Sequence, residues 1–117
     1  MSSIPNFLSF AQTDLSLRET RQNLIATNLA NADTPNFKAR DIDFAQSLQS
    51  ALAGGATTAT PQYLASAPVG LDGNDVSPTR EKLESLENVG AMNKEVVFLH
   101  QSTTDLLTAL KPNPNGI

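Results

Sequence analysis

The sequence predicts an all-α chain whose long N- and C-terminal helices pair as an elongated, antiparallel, coiled-coil-like hairpin. Three observations lead there. Apolar residues near both ends recur at alternating steps of four and three, the spacing of a heptad seam. The stretch from Phe44 to Leu71 carries no charge and centres on the connector-like AGGATTATPQ. Cysteine and tryptophan are absent, leaving five Phe and one Tyr as the aromatics, so the core must be aliphatic. At 117 residues the chain is a single domain, since about 100–200 residues make one. Its expected parts are an N-terminal helix over 4–32, a turn and short helix over 33–52, a connector over 53–75, a helix over 77–111 and a tail over 112–117.

In the first helix Ile4, Leu8, Ala11, Leu15, Arg18, Gln22, Ile25, Leu29 and Ala32 follow the heptad steps. Phe7, Phe10, Leu17 and Leu24 form a second apolar face, whereas a helix on the surface of a globule shows one stripe. A helix sandwiched in a small bundle and a core shared between subunits both account for two faces; the shared core is the reading favoured here. Between the helices, Asn28 and Asn31 lie one turn apart, where short amides leave the helix pattern and bond nearby backbone. Thr34-Pro35-Asn36-Phe37 suits a type II turn, with Pro presetting φ and Asn tolerating φ > 0. Asp43 with Gln46 three residues on reads as a capping box for a short helix carrying Phe44, Leu48, Ala51 and Leu52 on one face.

The last helix opens with Ser77 as N-cap and Pro78 at the first helical position. Val89, Met92, Val96, Leu99, Thr103, Leu106 and Leu110 step along it until Lys111 and Pro112 end the run. The expected pairing seam sets Leu15, Ile25 and Leu29 against Val96, Leu99 and Leu106. At 1.5 Å per residue the two helices are rods of roughly 40 and 50 Å, too long for a compact chain of this size, whose radius of gyration is about 13 Å. They fit as a thin antiparallel pair that leaves apolar surface for partners.

Composition narrows the function. The net charge is −4 and the pI near 4.7, without the basic stripe that nucleic acid requires. Thiolate metal sites and disulfides are excluded by the lack of cysteine. No apolar run reaches the ~18 residues of a membrane span, and the N-terminus lacks the pattern of a cleaved signal peptide. The single histidine, His100, has no partner at ligand spacing, Asp105 being five residues on. Asp41 and Asp43 read as a solvated charge and a cap, Gly54-Gly55 reads as linker, and neither phosphate-binding glycine loop is present. The expectation is a protein that is not an enzyme and has no cofactor, no metal, no small-molecule substrate and no nucleic acid.

One stretch is more specific. The turn ANADTPNF after a long N-terminal helix, followed by KARDIDF, resembles the axial proteins of the bacterial flagellar rod and hook, and LDGNDVSPTREKLESL is similar to the Asp-Gly-Asn-x-Val turn before their C-terminal helix. Only residues 53–70 match nothing in that family. The family usually has Gly where this chain has Asn36, and its distal members carry β-rich insertions for which this connector is too short. The resemblance implies a structural subunit of the proximal rod in the basal body, in the periplasmic space, self-assembling into a helical tube that transmits torque and conducts exported subunits. The implied partners are copies of itself, other rod proteins, a rod-base adaptor and the type III export gate, reached without a cleaved signal. Terminal segments that order only on assembly fit two helices short of partners.

Asn28, Asn31, Thr34, Pro35, Asn36, Phe37, Arg40, Asp43 and Phe44 then form the family turn and assembly motif. Phe37 and Phe44 are its expected apolar plugs against neighbours, and Arg40 with Asp43 its polar contacts; capping of two helices within one subunit is the plainer alternative. Phe7 with Ala11 matches the Phe-x-x-x-apolar pattern of an export signal. The alternative function is a soluble cytosolic helical adaptor or export chaperone holding partner helices in a groove.

Overall fold

The computed structural model describes residues 3–55, 59–64 and 68–111. The expected tail over 112–117, parts of the connector and the side chain of Ile4 lie outside the described residues. The chain runs α1 (Ser3–Ala30), β1 (Arg40–Asp41), α2 (Phe44–Leu52), β2 (Gln62–Tyr63) and α3 (Pro78–Leu110). It is an all-α molecule with one small two-stranded ladder, and its two long helices pack together. The radius of gyration is 19.4 Å and the principal extents are 74 × 27 × 16 Å, against about 13 Å for a compact chain of this length.

Local chemistry accounts for the helix ends. The Ser77 side chain accepts from the Arg80 amide at 3.3 Å with Pro78 next to it, and the Asp43 carboxylate accepts from the Gln46 amide at 3.1 Å. Each satisfies an amide that a helix start leaves without a partner. Past α2, the amide of Gly54, at φ 94°, donates to the Ala51 carbonyl, the left-handed ending that glycine adopts without strain.

Helix α1 is the centre of the molecule, with α3 along one side and α2 and β1 packed against it as well. The small core, Ala11, Leu17, Leu24, Ile25, Ala39 and Ile42, gathers on α1 and the segment leading into α2. Leu17 and Leu24, on the second apolar face of α1, are therefore buried within the subunit. This corrects the expectation that another subunit covers that face: the segment after the turn folds back and covers it. Phe10 and Leu8, nearer the N-terminus, remain exposed.

The contact between α1 and α3 is polar around Arg18 and Gln22, which bond Asn88 and Ser85. On α3 the covered positions are Glu81, Asn88, Glu95 and Ser102, seven residues apart, with Ser85 and Met92 beside them. A heptad seam is present, but it lies one residue before the apolar series that starts at Val89. Rotating α3 by that one position turns Val96, Val97 and Leu107 outward, each more than half exposed. The register is antiparallel: Phe7 meets Phe98 edge to face at 5.3 Å, Arg18 meets Asn88 and Gln22 meets Ser85. In that register the start of α1 comes level with the turn of α3 before Leu106, so the last turns of α3, with Leu107 and Leu110, project past α1.

The stretch expected to be a plain connector is tied down at two places. Gln62 and Tyr63 pair antiparallel with Asp41 and Arg40, and residues 70–76 bond back to the turn after α1. The ladder uses backbone groups alone, and residues 70–76 add the side chains of Asn74 and Asp75.

Candidate assembly site

The turn after α1 is built by short polar side chains that replace missing backbone partners. The buried Asn28 side chain acts as a strand edge for β1: its amide donates to the Arg40 carbonyl at 2.9 Å and its carbonyl oxygen accepts from the Arg40 amide at 3.1 Å. Asn31 donates to the Thr27 carbonyl at 2.8 Å and accepts from the Thr34 hydroxyl at 3.0 Å, closing the end of α1. In the turn, the Phe37 amide donates to the Thr34 carbonyl at 3.2 Å and Asn36 sits at φ 63°, the positive value a type II turn requires at that position. Asn36 thus takes the conformation for which glycine is the easier residue. Pro35 and Asn36 are exposed at the tip, and Phe37 is half-buried.

The segment from Gly70 to Val76 clamps this turn. Asn74 donates through its side chain to the carbonyls of both Asn31 and Thr34, each at 2.8 Å. Asp75 accepts from the Ala39 amide at 2.6 Å and its own amide donates to the Phe37 carbonyl. The Asn36 amide donates to the Asp72 carbonyl at 2.9 Å, and the Lys38 ammonium donates to the Gly73 carbonyl. Gly73, at φ 82°, lies so close to the Asn36 side chain that a Cβ there would collide with it.

An ion network joins both long helices to β1, the strand that follows the turn. The Arg21 guanidinium grips Asp41 with two bonds of 3.1 Å and reaches Glu84 at 2.6 Å, joining α1, β1 and α3. Burial works against its charge, but Asp41 and Glu84 outweigh it and hold the pKa above its ordinary value. Arg80 lies 3.3 Å from the buried carboxylate of Glu81. Burial pushes the Glu81 carboxyl upward, opposed by the Asn28 side chain and by Arg80, with Asp41 and Glu84 adding to the push.

Of the other motif residues, Arg40 contributes its backbone to the ladder and to Asn28. The exposed Asp43 caps α2 within the subunit, as the plainer alternative has it. Phe44 is half-buried beneath the Arg18 guanidinium, 4.3 Å from the ring centre, a cation–π contact made inside the chain. In the expected seam Ile25 is buried, Leu15, Leu29 and Leu99 are half-buried, and Val96 and Leu106 are exposed. The structure does not bring these six together, because the antiparallel register sets Ile25 against the first turns of α3 and leaves Leu106 beyond the start of α1. Of the expected export signal, Ala11 is buried and Phe7 stacks on Phe98. His100 is exposed, and among the described residues no group of three or more His, Asp or Glu side chains could hold a metal ion. No helix of the described residues is long and apolar enough to cross a membrane.

The residues that carry the structure beyond the motif are Arg21, Asn74, Asp75, Glu81, Glu84 and Asn88. For Asn88 the signal in the sequence is the polar interruption of the heptad at Arg18 and Gln22, which it bonds across the seam.

Comparison with known proteins places this architecture. Residues 8–38, from α1 through the turn, match the family model described as flagella basal body rod protein. The flagellar basal body rod protein FlgB of Cereibacter sphaeroides is 38% identical over 112 residues, covering 83% of this chain and 88% of the relative. That of Proteus mirabilis is 31% identical over 95% of this chain and 98% of its own length, and that of Salmonella typhimurium is 38% identical over 69% and 75%. With identity of this level running from α1 through α3, the chain belongs to the family of flagellar basal body rod proteins that includes FlgB.

Proposed function

We propose that this chain is a structural subunit of the proximal rod of the flagellar basal body, packing with copies of itself and other rod proteins into a helical tube that transmits torque and conducts exported subunits. The observation that carries this reading is the outward apolar surface of α3. Val97, Leu107 and Leu110 are 67%, 59% and 70% exposed, and Leu107 and Leu110 stand on turns that run past the start of α1. A monomer gains nothing from that arrangement, and apolar surface of this kind marks an interaction site. The clamped turn supports the same reading, since it presents the exposed Pro35 and Asn36 on a base held by side-chain and backbone bonds.

In this reading the subunit works in the periplasmic space, meets the rod-base adaptor and the export gate, and performs no catalysis. Its Phe7 and Ala11 are read as an export signal while α1 and α3 are apart, because in the folded pair both side chains are engaged. Phe37, Phe44, Arg40 and Asp43 add neighbour contacts to their roles within the subunit.

The test replaces the chain in its motile host by Leu107→Asp or Pro35→Ala. Swimming is expected to fall strongly in both while immunoblots show ordinary amounts of the subunit. Full swimming with Leu107→Asp would contradict an assembly role for the outer face of α3.

A further inference from the structure

The segment that clamps the turn after α1 contains a peptide bond with a chemistry of its own. Asp72 is the one aspartate in the sequence followed by glycine, and every other aspartate precedes a residue with a larger side chain. Attack by a backbone amide nitrogen on the carboxyl carbon of the preceding aspartate closes a succinimide ring, and at glycine no Cβ hinders that approach. The fold engages the groups this reaction needs. The attacking nitrogen, that of Gly73, donates to the Gly70 carbonyl at 3.0 Å. In the target carboxyl, Asp72 Oδ1 accepts from the Asn74 amide at 3.1 Å. The Asp72 carbonyl accepts from the Asn36 amide at 2.9 Å, and the Gly73 carbonyl takes the Lys38 ammonium. Gly73 is also seated against the Asn36 side chain at φ 82°. Asp72 itself is exposed, so it is these bonds, and not burial, that hold the two reacting groups apart.

We propose that Asp72–Gly73 is an isomerisation site guarded by the clamp. When the clamp opens, the Gly73 nitrogen bonds to Asp72 Cγ, and the carboxyl hydroxyl leaves with the amide proton as water. Water then breaks the bond between that nitrogen and the former main-chain carbonyl of Asp72, leaving the nitrogen on Cγ as isoaspartate. One water is released and one is taken up, and nothing is oxidised or reduced. The main chain now runs through the Asp72 side chain and is longer by one methylene. The carbonyl that accepted from Asn36 has become a free carboxylate outside it, and the register that seats Gly73 on Asn36 and Lys38 is lost. Conversion is therefore one-way: a chain that has isomerised while open does not clamp again.

The test ages the purified full chain at one pH and temperature, with and without urea. Electron-transfer fragmentation of the peptide spanning residue 72 distinguishes isoaspartate from aspartate. The parent is expected to convert at least about tenfold more slowly in buffer than in urea, the factor that about 1.4 kcal/mol of clamp closure gives. Asn74→Ala removes the side-chain bonds to Asn31 and Thr34 but keeps the Asp72–Gly73 bond, and is expected to convert several-fold faster than the parent in buffer. Asn88→Ala, which loosens the helix seam and not the clamp, is expected to keep the parent's rate. In urea these three chains are expected to convert alike and Gly73→Ala more slowly, which identifies the bond. The proposal is overturned if the parent converts as fast in buffer as in urea, if Asn74→Ala keeps the parent's rate, or if Asn88→Ala converts as fast as Asn74→Ala. It is also overturned if the purified isoaspartyl chain resists proteolysis over residues 70–76 as the parent does. None of these outcomes depends on assembly.

Discussion

The side-chain amide of Asn88 donates to the backbone carbonyl of Arg18, seventy residues earlier, at 2.9 Å, and to the side-chain oxygen of Gln22 at 3.1 Å. One nearly inaccessible amide thus bonds two successive turns of α1, while Arg18 reaches back to its oxygen at 3.5 Å. A polar residue at a seam position fixes which registers a helix pair can take, at a cost in stability. Here it fixes the rotation that turns the apolar residues of α3 outward.

Asn88→Ala removes those bonds and leaves the Gln22 side-chain oxygen without its donor. The expected loss is about 1–3 kcal/mol. Amide hydrogen exchange checks it: protection of α1 around residues 15–25 should fall, while the turn at 31–37, held by Asn74, should keep its own.

Arg21→Lys keeps the charge but loses the planar fork that grips Asp41. A loss of about 1–2 kcal/mol is expected, rising to about 2–4 kcal/mol for Arg21→Ala, which leaves Asp41 and Glu84 with only the more distant Arg80, 3.9 Å from each. Urea denaturation of the three proteins, compared at one salt concentration, measures the order.

Gly73→Ala places a Cβ at a backbone conformation L-residues disfavour and drives it into Asn36. The expected destabilisation of the clamp is about 1–3 kcal/mol. Limited proteolysis should show faster cleavage near residues 70–76 with little change within α3. Asn36→Gly, which suits φ 63° without strain, should leave the clamp intact.

Glu81 sits with its carboxyl pushed above the ordinary range by burial. Its proton stabilises the folded chain below the ordinary pKa of 4.5, and that stabilisation fades as the pH rises through the higher folded value. In Glu81→Gln this contribution is absent. The difference in urea midpoint between parent and variant should therefore change between pH 4 and pH 7, with the parent losing more as the pH rises.

The elements that were legible in the sequence are those announced by side chains. Ser77 with Pro78 and Asp43 with Gln46 mark helix starts by chemistry that acts locally, and Pro35 with Asn36 marks the turn the same way. The seam between the helices was legible on α1, where Arg18 and Gln22 break the apolar series, but not on α3. There the outward Val96, Val97 and Leu107 outnumber the inward Asn88 and Glu95, and apolar periodicity follows the larger set. The return of residues 62–63 to β1 left no pattern, because two-residue pairing uses backbone groups alone. The grip of Asn74 on the carbonyls of Asn31 and Thr34 spans about forty residues and follows from the fold, not from any local spacing.

The outer face of α3 is open in the single chain and, in the proposed function, covered in the rod. Leu107→Cys introduces the only thiol, and its reaction with a maleimide can be timed in the purified chain and in isolated basal bodies. The free chain is expected to label rapidly, and the basal body at least tenfold more slowly. Equal rates in the two would contradict that covering.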